Sequence, residues 1–380
     1  MATRLAVLAA ALVGLAACVT GMDPPAPTPM VEVRAGLTFL FGSETPCYNK
    51  DKPDYGCPAD NPNVMPKAYP ALTVDLKPFA IDEHEVTNFQ YQYCEDMGSC
   101  THPKADNTVD IDSYFRETRF REYPVVYVTA TQAEAYCRFV GRRLPNEIEW
   151  ERVAAGPDPE NKRVFAFDDG KTIVDNCKGK AIKMRYCDGL KSPAQVESSA
   201  NDYVIEVDGA MAQHRIYDLG ANVSEWVAGF FREDLTCDDG TPLDQTCDCF
   251  SCTTEACRNF CFHDCKTDCG VAADCPANCC GRQGVVGHDC PYSASDCFRM
   301  CPSPPSGPYP NGLPICVSRG SGTLQEADLV VASGSERLAR GASSVDDSNA
   351  TCRARTTDRG RHFAQDQSQP YIGFRCAADL

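Results

Sequence analysis

Cysteine is the residue that most constrains this chain, because 25 of its 380 residues are cysteine. Thiols at this density persist either as disulfides outside the reducing cytosol or as metal ligands. Fourteen of them fall within residues 237–301, a density typical of a disulfide scaffold. Cys249 and Cys252 have a spacing typical of zinc ligands, but no clear second pair follows at the distance of a zinc finger. We therefore predict disulfides in 237–301, with zinc binding as the alternative.

The N-terminal residues predict export. Arg4 precedes an apolar run of 13 residues, Leu5 to Ala17, which is shorter than the ~20 residues that a membrane-spanning helix needs. The run ends in Leu15-Ala16-Ala17-Cys18, which resembles the bacterial lipobox. We expect residues 1–17 to be a lipoprotein signal peptide and Cys18 to be lipidated. The chain would then be anchored in the bacterial cell envelope, in the periplasm or at the cell surface, whereas the alternative is a plain secretory signal.

The rest of the chain divides by composition. Residues 18–30 are rich in proline and predict a tether, whereas residues 31–236 and 316–380 have globular patterning. Residues 237–315 form a cysteine-rich insertion followed by a proline-rich return linker. The formal charge of −17, from 36 basic and 53 acidic residues, argues against nucleic acid as a partner, because nucleic-acid binding depends on cationic surfaces.

The globular regions predict short elements. Thr87–Cys94 is predicted as a helix with Thr87 as its N-cap, and Asn146–Ala155 as another. Between them, Thr131 and Glu134 predict a capping box for a third helix. The apolar run Val125–Val128 predicts a buried strand.

Five motifs occur in a fixed order along the globular regions. They are Glu85–Asn88 (EVTN), Arg143–Glu151 (RLPNEIEWE), Tyr217–Trp226 (YDLGANVSEW), Arg340–Ser343 (RGAS) and Ile372–Cys376 (IGFRC). This pattern resembles the formylglycine-generating enzyme family, or sulfatase-modifying factor family, whose phrases are EVTN, RLPTEAEWE, GNVWEW, RGGS and GFR. The resemblance implies an α+β fold, distantly similar to C-type lectins, with little regular secondary structure and, in this chain, a disulfide-rich insertion.

The resemblance also implies a test of activity. Active members oxidise a sulfatase cysteine to formylglycine through two thiols that hold Cu(I), a soft ion that thiolates select. Counted from Arg340, those thiols belong at the seventh and twelfth positions, which hold Asp346 and Thr351. Only the family serine persists, as Ser343, and the nearest thiol is Cys352. We therefore expect no copper and no catalytic residues, with Ser343 and Cys352 as candidates if oxidation remains.

The family further implies a calcium site and a disulfide. The calcium ligands would be the side chains of Asp218 and Glu225 and the carbonyls of Ala221 and Val223, since hard oxygen ligands suit calcium. The family disulfide falls on Cys137 and Cys376. By proximity in the sequence we also predict the pairs Cys47–Cys57, Cys94–Cys100, Cys177–Cys187 and Cys316–Cys352.

Five arginines near the C-terminus leave two interpretations open. They are Arg340, Arg353, Arg355, Arg359 and Arg375, and they could line a groove for an anionic ligand or be paired with carboxylates. The function we expect is a lipid-anchored, extracytoplasmic binding or structural role on a protein or glycan partner. The alternative is a formylglycine-generating oxidoreductase.

Overall fold

The structure is a computed structural model. It describes residues 24–42, 72–158, 161–167, 182–184, 187, 189, 191–208, 210–231, 324–325, 330, 334–346 and 353–380. The predicted signal peptide with Cys18 and the cysteine-rich residues 237–301 lie outside the described residues, as do Thr351 and Cys352.

Three α-helices form in the described part of the chain, each at a capping signal. They are α1 (Asn88–Asp96), α2 (Ala130–Phe139) and α3 (Glu147–Ala155), with a short 3-10 turn at Thr118–Phe120. The N-cap of α1 is Thr87, as the sequence predicts, and Asn146, predicted as the first residue of α3, is the N-cap of that helix. The predicted cap of α2 at Thr131 is wrong. Thr129 caps this helix by accepting from the backbone N–H of Gln132, whose side chain returns to the cap, so the capping box lies two residues earlier.

Twelve short strands make up four small sheets in the described residues. They are β1 (Met30–Val33), β2 (Thr38–Phe41), β3 (Leu72–Asp75), β4 (Phe79–Asp82), β5 (Tyr203–Val207), β6 (Gln213–Tyr217), β7 (Ser224–Trp226), β8 (Leu324–Gln325), β9 (Glu336–Arg340), β10 (Arg361–Ala364), β11 (Ile372–Gly373) and β12 (Ala377–Asp379). The strand orders are β1-β4-β12, β10-β9-β7-β11, β2-β3-β8 and β5-β6. The fold is therefore α+β with little regular structure, as predicted.

The predicted strand at Val125–Val128 is wrong. The segment is buried as expected, apart from the half-buried Tyr127, but it forms no strand. Tyr127 has a φ of 58°, a left-handed conformation that breaks the pleat of a β-strand. Apolar composition predicted the burial of this segment, but it carries no signal for a left-handed residue.

Two disulfides have both of their cysteines among the described residues. Cys137 in α2 is joined to Cys376 across 239 residues of sequence, which is the pair that the resemblance implies. Cys94 at the end of α1 is joined to Cys100, as proximity predicts. Cys187 is also disulfide-bonded, while its predicted partner Cys177 and the other predicted pairs lie outside the described residues.

The interior is built around α3 and the ends of the chain. The buried side chains of Trp150 and Ile148 pack with strands β1 to β4 in one cluster. A second cluster gathers Tyr91, Phe374 and the long-range disulfide. Within the residues that the structure describes, no helix is long and apolar enough to cross a membrane.

Candidate functional site

The loop after β9 carries Ser343 into the interior. Gly341 begins this loop with a φ of 80°, and a Cβ there would lie 2.9 Å from the backbone oxygen of Leu219, so the position requires glycine. Ser343 is fully buried. The next residue, Ser344, donates its backbone N–H to the carbonyl of Asn222 at 2.8 Å. The loop after β9 is therefore packed against the turn that precedes β7.

Asp346 lies beside Ser343 and closes this loop on itself. Its Oδ2 accepts hydrogen bonds from the backbone N–H of Ser343 at 2.7 Å and from Ser343 Oγ at 3.1 Å. Arg361 at the start of β10 forms an ion pair with the same carboxylate and donates to Ser343 Oγ at 3.1 Å. The side chains of Asp346 and Arg361 are only 3% and 8% exposed. A carboxylate with a matched cation therefore stands where the resemblance places the first copper thiol.

The turn before β7 carries part of a buried acidic cluster, which we define as Glu85, Asp202 and Asp218. Each is at most 1% exposed. One oxygen of Asp202 accepts the backbone N–H of Gly220 at 2.8 Å, and one oxygen of Glu85 accepts Asn222 Nδ2 at 3.1 Å. The other oxygens, Glu85 Oε2, Asp202 Oδ2 and Asp218 Oδ1, have no hydrogen-bond partner in the described part of the structure.

Burial dominates the electrostatics of the acidic cluster. It raises the pKa of Asp202 to about 8, with a further contribution from Asp218, and raises the pKa of Asp218 to about 6. The pKa of Glu85 is raised well above its usual value by burial and by repulsion from Asp218. Arg375 opposes all three shifts. All three carboxylates lie in the field of this one cation, so protons or a bound cation would reduce the repulsion between them.

Glu225, the second predicted calcium side chain, is already engaged by other donors. Arg375 forms hydrogen bonds to both of its oxygens, the shortest at 2.6 Å, and Trp150 Nε1 donates at 2.8 Å. All three side chains are buried. A cation that bound Glu225 would therefore have to share a carboxylate that neutralises Arg375, whereas Asp218 still has a free oxygen.

Four of the five C-terminal arginines are paired with carboxylates, which is one of the two interpretations that the sequence left open. The ion pairs are Arg340 with Glu147 and Glu151, Arg353 with Asp358, Arg359 with Glu147, and Arg375 with Glu225. Arg355 is buried and has a partner of its own. These contacts do not form an open cationic groove.

Backbone strain collects around the turn Asp218–Val223. The described non-glycine residues with positive φ are Tyr127, Glu197, Met211, Asp218 and Asn222. Glu197 donates its backbone N–H to Asp218 at 2.7 Å, and Tyr127 packs in the apolar cluster that contains Val223. Met211 instead lies in the β5–β6 hairpin. Left-handed residues of this kind persist where the surrounding structure enforces them, often at functional sites.

Sequence reasoning missed the partners of the predicted site residues. Arg361 was not recognised as the cation beside Asp346, although a carboxylate in a buried position requires one. Glu85 was quoted only as part of a motif, and Asp202 was not singled out. Over the residues that the structure describes, no group of three or more His, Cys, Asp or Glu side chains is arranged to hold a metal ion. The predicted calcium site contains only two such side chains and two backbone carbonyls, so it stays a prediction.

Comparison with known proteins identifies a family. The sequence profile described as "Sulfatase-modifying factor enzyme 1-like domain" matches residues 22–380. The inactive C-alpha-formylglycine-generating enzyme 2 of Mus musculus is 26% identical over 222 residues, 46% of this chain and 65% of that protein. Hercynine oxygenase of Mycolicibacterium thermoresistibile is 30% identical over 149 residues, 33% of each protein.

Two further similarities differ widely in extent. The serine/threonine-protein kinase Pkn1 of Chlamydia trachomatis serovar L2 is 28% identical over 176 residues, 44% of this chain, and the match spans a quarter of the kinase (25%). The solved structure of PvdO from Pseudomonas aeruginosa aligns with 92% of this chain and 94% of its own, with 18% identity and a TM-score of 0.44.

Proposed function

The chain belongs to the family of sulfatase-modifying factor enzyme 1-like domains, and from that premise we propose that it is a non-catalytic member with a binding or structural role. Its partner would be a protein or a glycan of the bacterial cell envelope, to which lipidated Cys18 would anchor the chain. The observation that carries this proposal is the buried ion pair between Asp346 and Arg361.

The ion pair presents a carboxylate where copper would need a thiolate. Cu(I) is a soft ion that is selected by thiolates, and carboxylates are hard ligands that suit other metals. Asp346 is in addition neutralised by Arg361 and hydrogen-bonded by Ser343. A second cation at this carboxylate would be repelled by the guanidinium, so the residues present do not fit copper.

Retention of the surrounding scaffold supports a binding role. The strained turn Asp218–Val223 and the glycine at position 341 hold the loop of Ser343 in a fixed place. Keeping such strain has a cost of about 1–3 kcal/mol for each residue. The mouse relative, whose name describes it as inactive, supports a role without oxidation for a protein of this family.

Calcium is the cofactor we propose for the buried acids. Asp218 has a buried oxygen without a partner, which fits a cation, and the carbonyls of Ala221 and Val223 with Glu225 would complete the oxygen ligands. The ion would supply positive charge to an acidic cluster that Arg375 alone does not balance. Its role would be structural.

A direct test separates this proposal from a formylglycine-generating oxidoreductase. The hercynine oxygenase relative and the retained Ser343 favour this second candidate, with Cys352 as its thiol. The full-length chain is incubated with Cu(I), oxygen and a sulfatase peptide that contains cysteine, and aldehyde is measured by mass spectrometry. We expect neither stoichiometric Cu(I) binding nor aldehyde. Aldehyde that is lost in a Cys352→Ser variant would establish the oxidoreductase and overturn the proposal.

The predicted anchor is tested separately. Full-length protein expressed in a Gram-negative bacterium should partition into detergent, and a Cys18→Ala variant should partition into the aqueous phase, because the acyl chains supply the membrane affinity. Equal partitioning of the two proteins would remove lipidation from the proposed function.

A further inference from the structure

His84 has one ring nitrogen that is committed to hydrogen bonding. It follows β4 and is 8% exposed, with Nδ1 lying 2.7 Å from the backbone oxygen of Glu85. A carbonyl oxygen only accepts hydrogen bonds, so Nδ1 must carry the proton. Burial, reinforced by the positive charge of Arg375, lowers the pKa of His84 to about 4 against the effect of this hydrogen bond. The ring is therefore neutral at pH 7, with a lone pair on Nε2.

That lone pair faces a carboxylate. Nε2 of His84 lies 3.6 Å from Oε1 of Glu197, which is longer than a hydrogen bond of 2.7–3.2 Å. Both atoms are acceptors when the imidazole is neutral and the carboxylate is ionised, so neither has a proton to share. Two acceptors held in this way repel each other unless a water molecule or a cation bridges them.

The separation fits two ligands of one metal ion. Zinc binds imidazole nitrogen and carboxylate oxygen at about 2.0–2.1 Å in tetrahedral geometry, which places the two ligand atoms about 3.3 Å apart. The observed distance of 3.6 Å is within a few tenths of an ångström of that value. A metal-binding histidine also typically donates its other ring N–H to a carbonyl or carboxylate, as His84 does to Glu85.

The surroundings of His84 and Glu197 carry negative charge and are open to solvent on one side. Glu197 is held by its backbone N–H, which donates to Asp218 at 2.7 Å, while its side chain is 44% exposed. The carboxylate of Glu83 lies close enough to interact electrostatically with Glu197. Both Glu83 and Asp218 would therefore attract a cation, and Arg375, which would repel one, is paired with Glu225. The open side leaves room for water ligands.

Two other histidines serve as internal comparisons. His214 Nε2 lies 2.8 Å from Asp208, and the two ring nitrogens of His102 lie 2.9 and 3.0 Å from Glu95 and Asp106. These are hydrogen-bond distances. Only the longer His84 contact leaves space for an ion among these three.

We propose that His84 Nε2 and Glu197 Oε1 bind a divalent transition-metal ion of the zinc class, with water completing its coordination. Imidazole nitrogen favours zinc and its neighbours over calcium, so this site differs in ion and in ligands from the calcium site proposed for the turn before β7. The inference does not depend on the proposed function.

The experiment is titration of Zn²⁺ into the detergent-solubilised, metal-stripped full-length chain by calorimetry. We expect binding at one site, at least tenfold weaker in His84→Gln and in Glu197→Gln and unchanged in the control His214→Gln. A tenfold excess of Ca²⁺ should not displace the zinc. Zinc held by cysteines of residues 237–301 would persist in both variants, and that result, or no zinc binding at all, would overturn the proposal.

A spectroscopic measurement tests the site without relying on the folding of the His84 variant. Glu197 is substantially exposed, so Glu197→Ala should fold normally. Co²⁺ bound to the wild-type chain should give visible absorption bands that lose intensity or shift in Glu197→Ala. Identical spectra in the two proteins would show that Glu197 is not a ligand and would refute the site.

Discussion

The buried ion pair of Asp346 and Arg361 can be broken from either side by substitutions that preserve size, Asp346→Asn and Arg361→Met. Each variant leaves the other charge buried without its partner. Two unit charges about 4 Å apart attract by about 4 kcal/mol at an effective dielectric constant of about 20, and removing one member of a buried pair typically costs about 3–5 kcal/mol. Since the side chains are 3% and 8% exposed, we expect each single variant to lower the free energy of unfolding by about 3–5 kcal/mol.

The double variant distinguishes loss of the pair from loss of two separate side chains. It removes both charges, so it should lose less than the sum of the single losses, with a coupling energy of about 2 kcal/mol or more. Urea denaturation followed by fluorescence measures the cycle, because Trp150 and Trp226 are both buried. The exposed pair Glu32–Arg34, whose side chains are 46% and 44% exposed, is the matched control.

The control defines the scale of the effect. Glu32→Gln and Arg34→Met should each leave the urea midpoint almost unchanged, because solvent screens an exposed ion pair. Single variants of Asp346 and Arg361 that cost less than about 1 kcal/mol, or that add without coupling, would refute the reasoning. Other groups, and not Arg361, would then stabilise the charge of Asp346.

Three further predictions concern the rest of the fold. Removing the long-range disulfide by substituting both of its cysteines with alanine should cost about 5–6 kcal/mol by loop entropy, measured as a lower urea midpoint; a loss under 1 kcal/mol would contradict it. Burial raises the pKa of Glu151, but Lys162 and Arg340 outweigh it and lower that pKa overall. The two cations therefore stabilise the folded state above about pH 4.5, and this stabilisation is lost as the pH falls through the lowered pKa of folded Glu151. The difference in free energy of unfolding between wild type and Glu151→Gln should therefore shrink in urea titrations below pH 4. A difference that stays constant would argue against this prediction. Gly341→Ala should lower stability by about 2 kcal/mol, because its φ is 80° and the new Cβ would lie 2.9 Å from the backbone oxygen of Leu219; an unchanged melting temperature in calorimetry would count against this strain.

Local signals in the sequence predicted local structure well. The N-caps Thr87 and Asn146 are side chains that bond to backbone groups two or three residues away, so the sequence contains all that is needed. The error in α2 arose because Thr129 and Thr131 each precede a suitable partner by three residues, and local pattern does not choose between them. Tyr127 shows a different limit, since the contacts that hold its left-handed backbone are distant in sequence.

The candidate site was predictable residue by residue but not as an assembly. Counting from a motif placed Asp346 where a thiol was expected, and the structure supplied Arg361, which pairs with it. Glu85 and Asn222 are 137 positions apart, and their contact exists only because the EVTN segment crosses the turn before β7. The His84–Glu197 approach has the same origin. Contacts of this kind follow from chain topology, which composition and spacing do not specify.

Residues 375–379 make three contacts that stabilise the interior. Arg375 counters buried acids, Cys376 closes the long bridge, and Ala377–Asp379 pair with β4. A nascent polypeptide in which residues 375–379 are still inside the ribosome therefore lacks this counterion, the crosslink and a sheet edge all at once. The fold can be completed only after residues 375–379 have left the ribosome, and a stop codon at position 375 would remove all three.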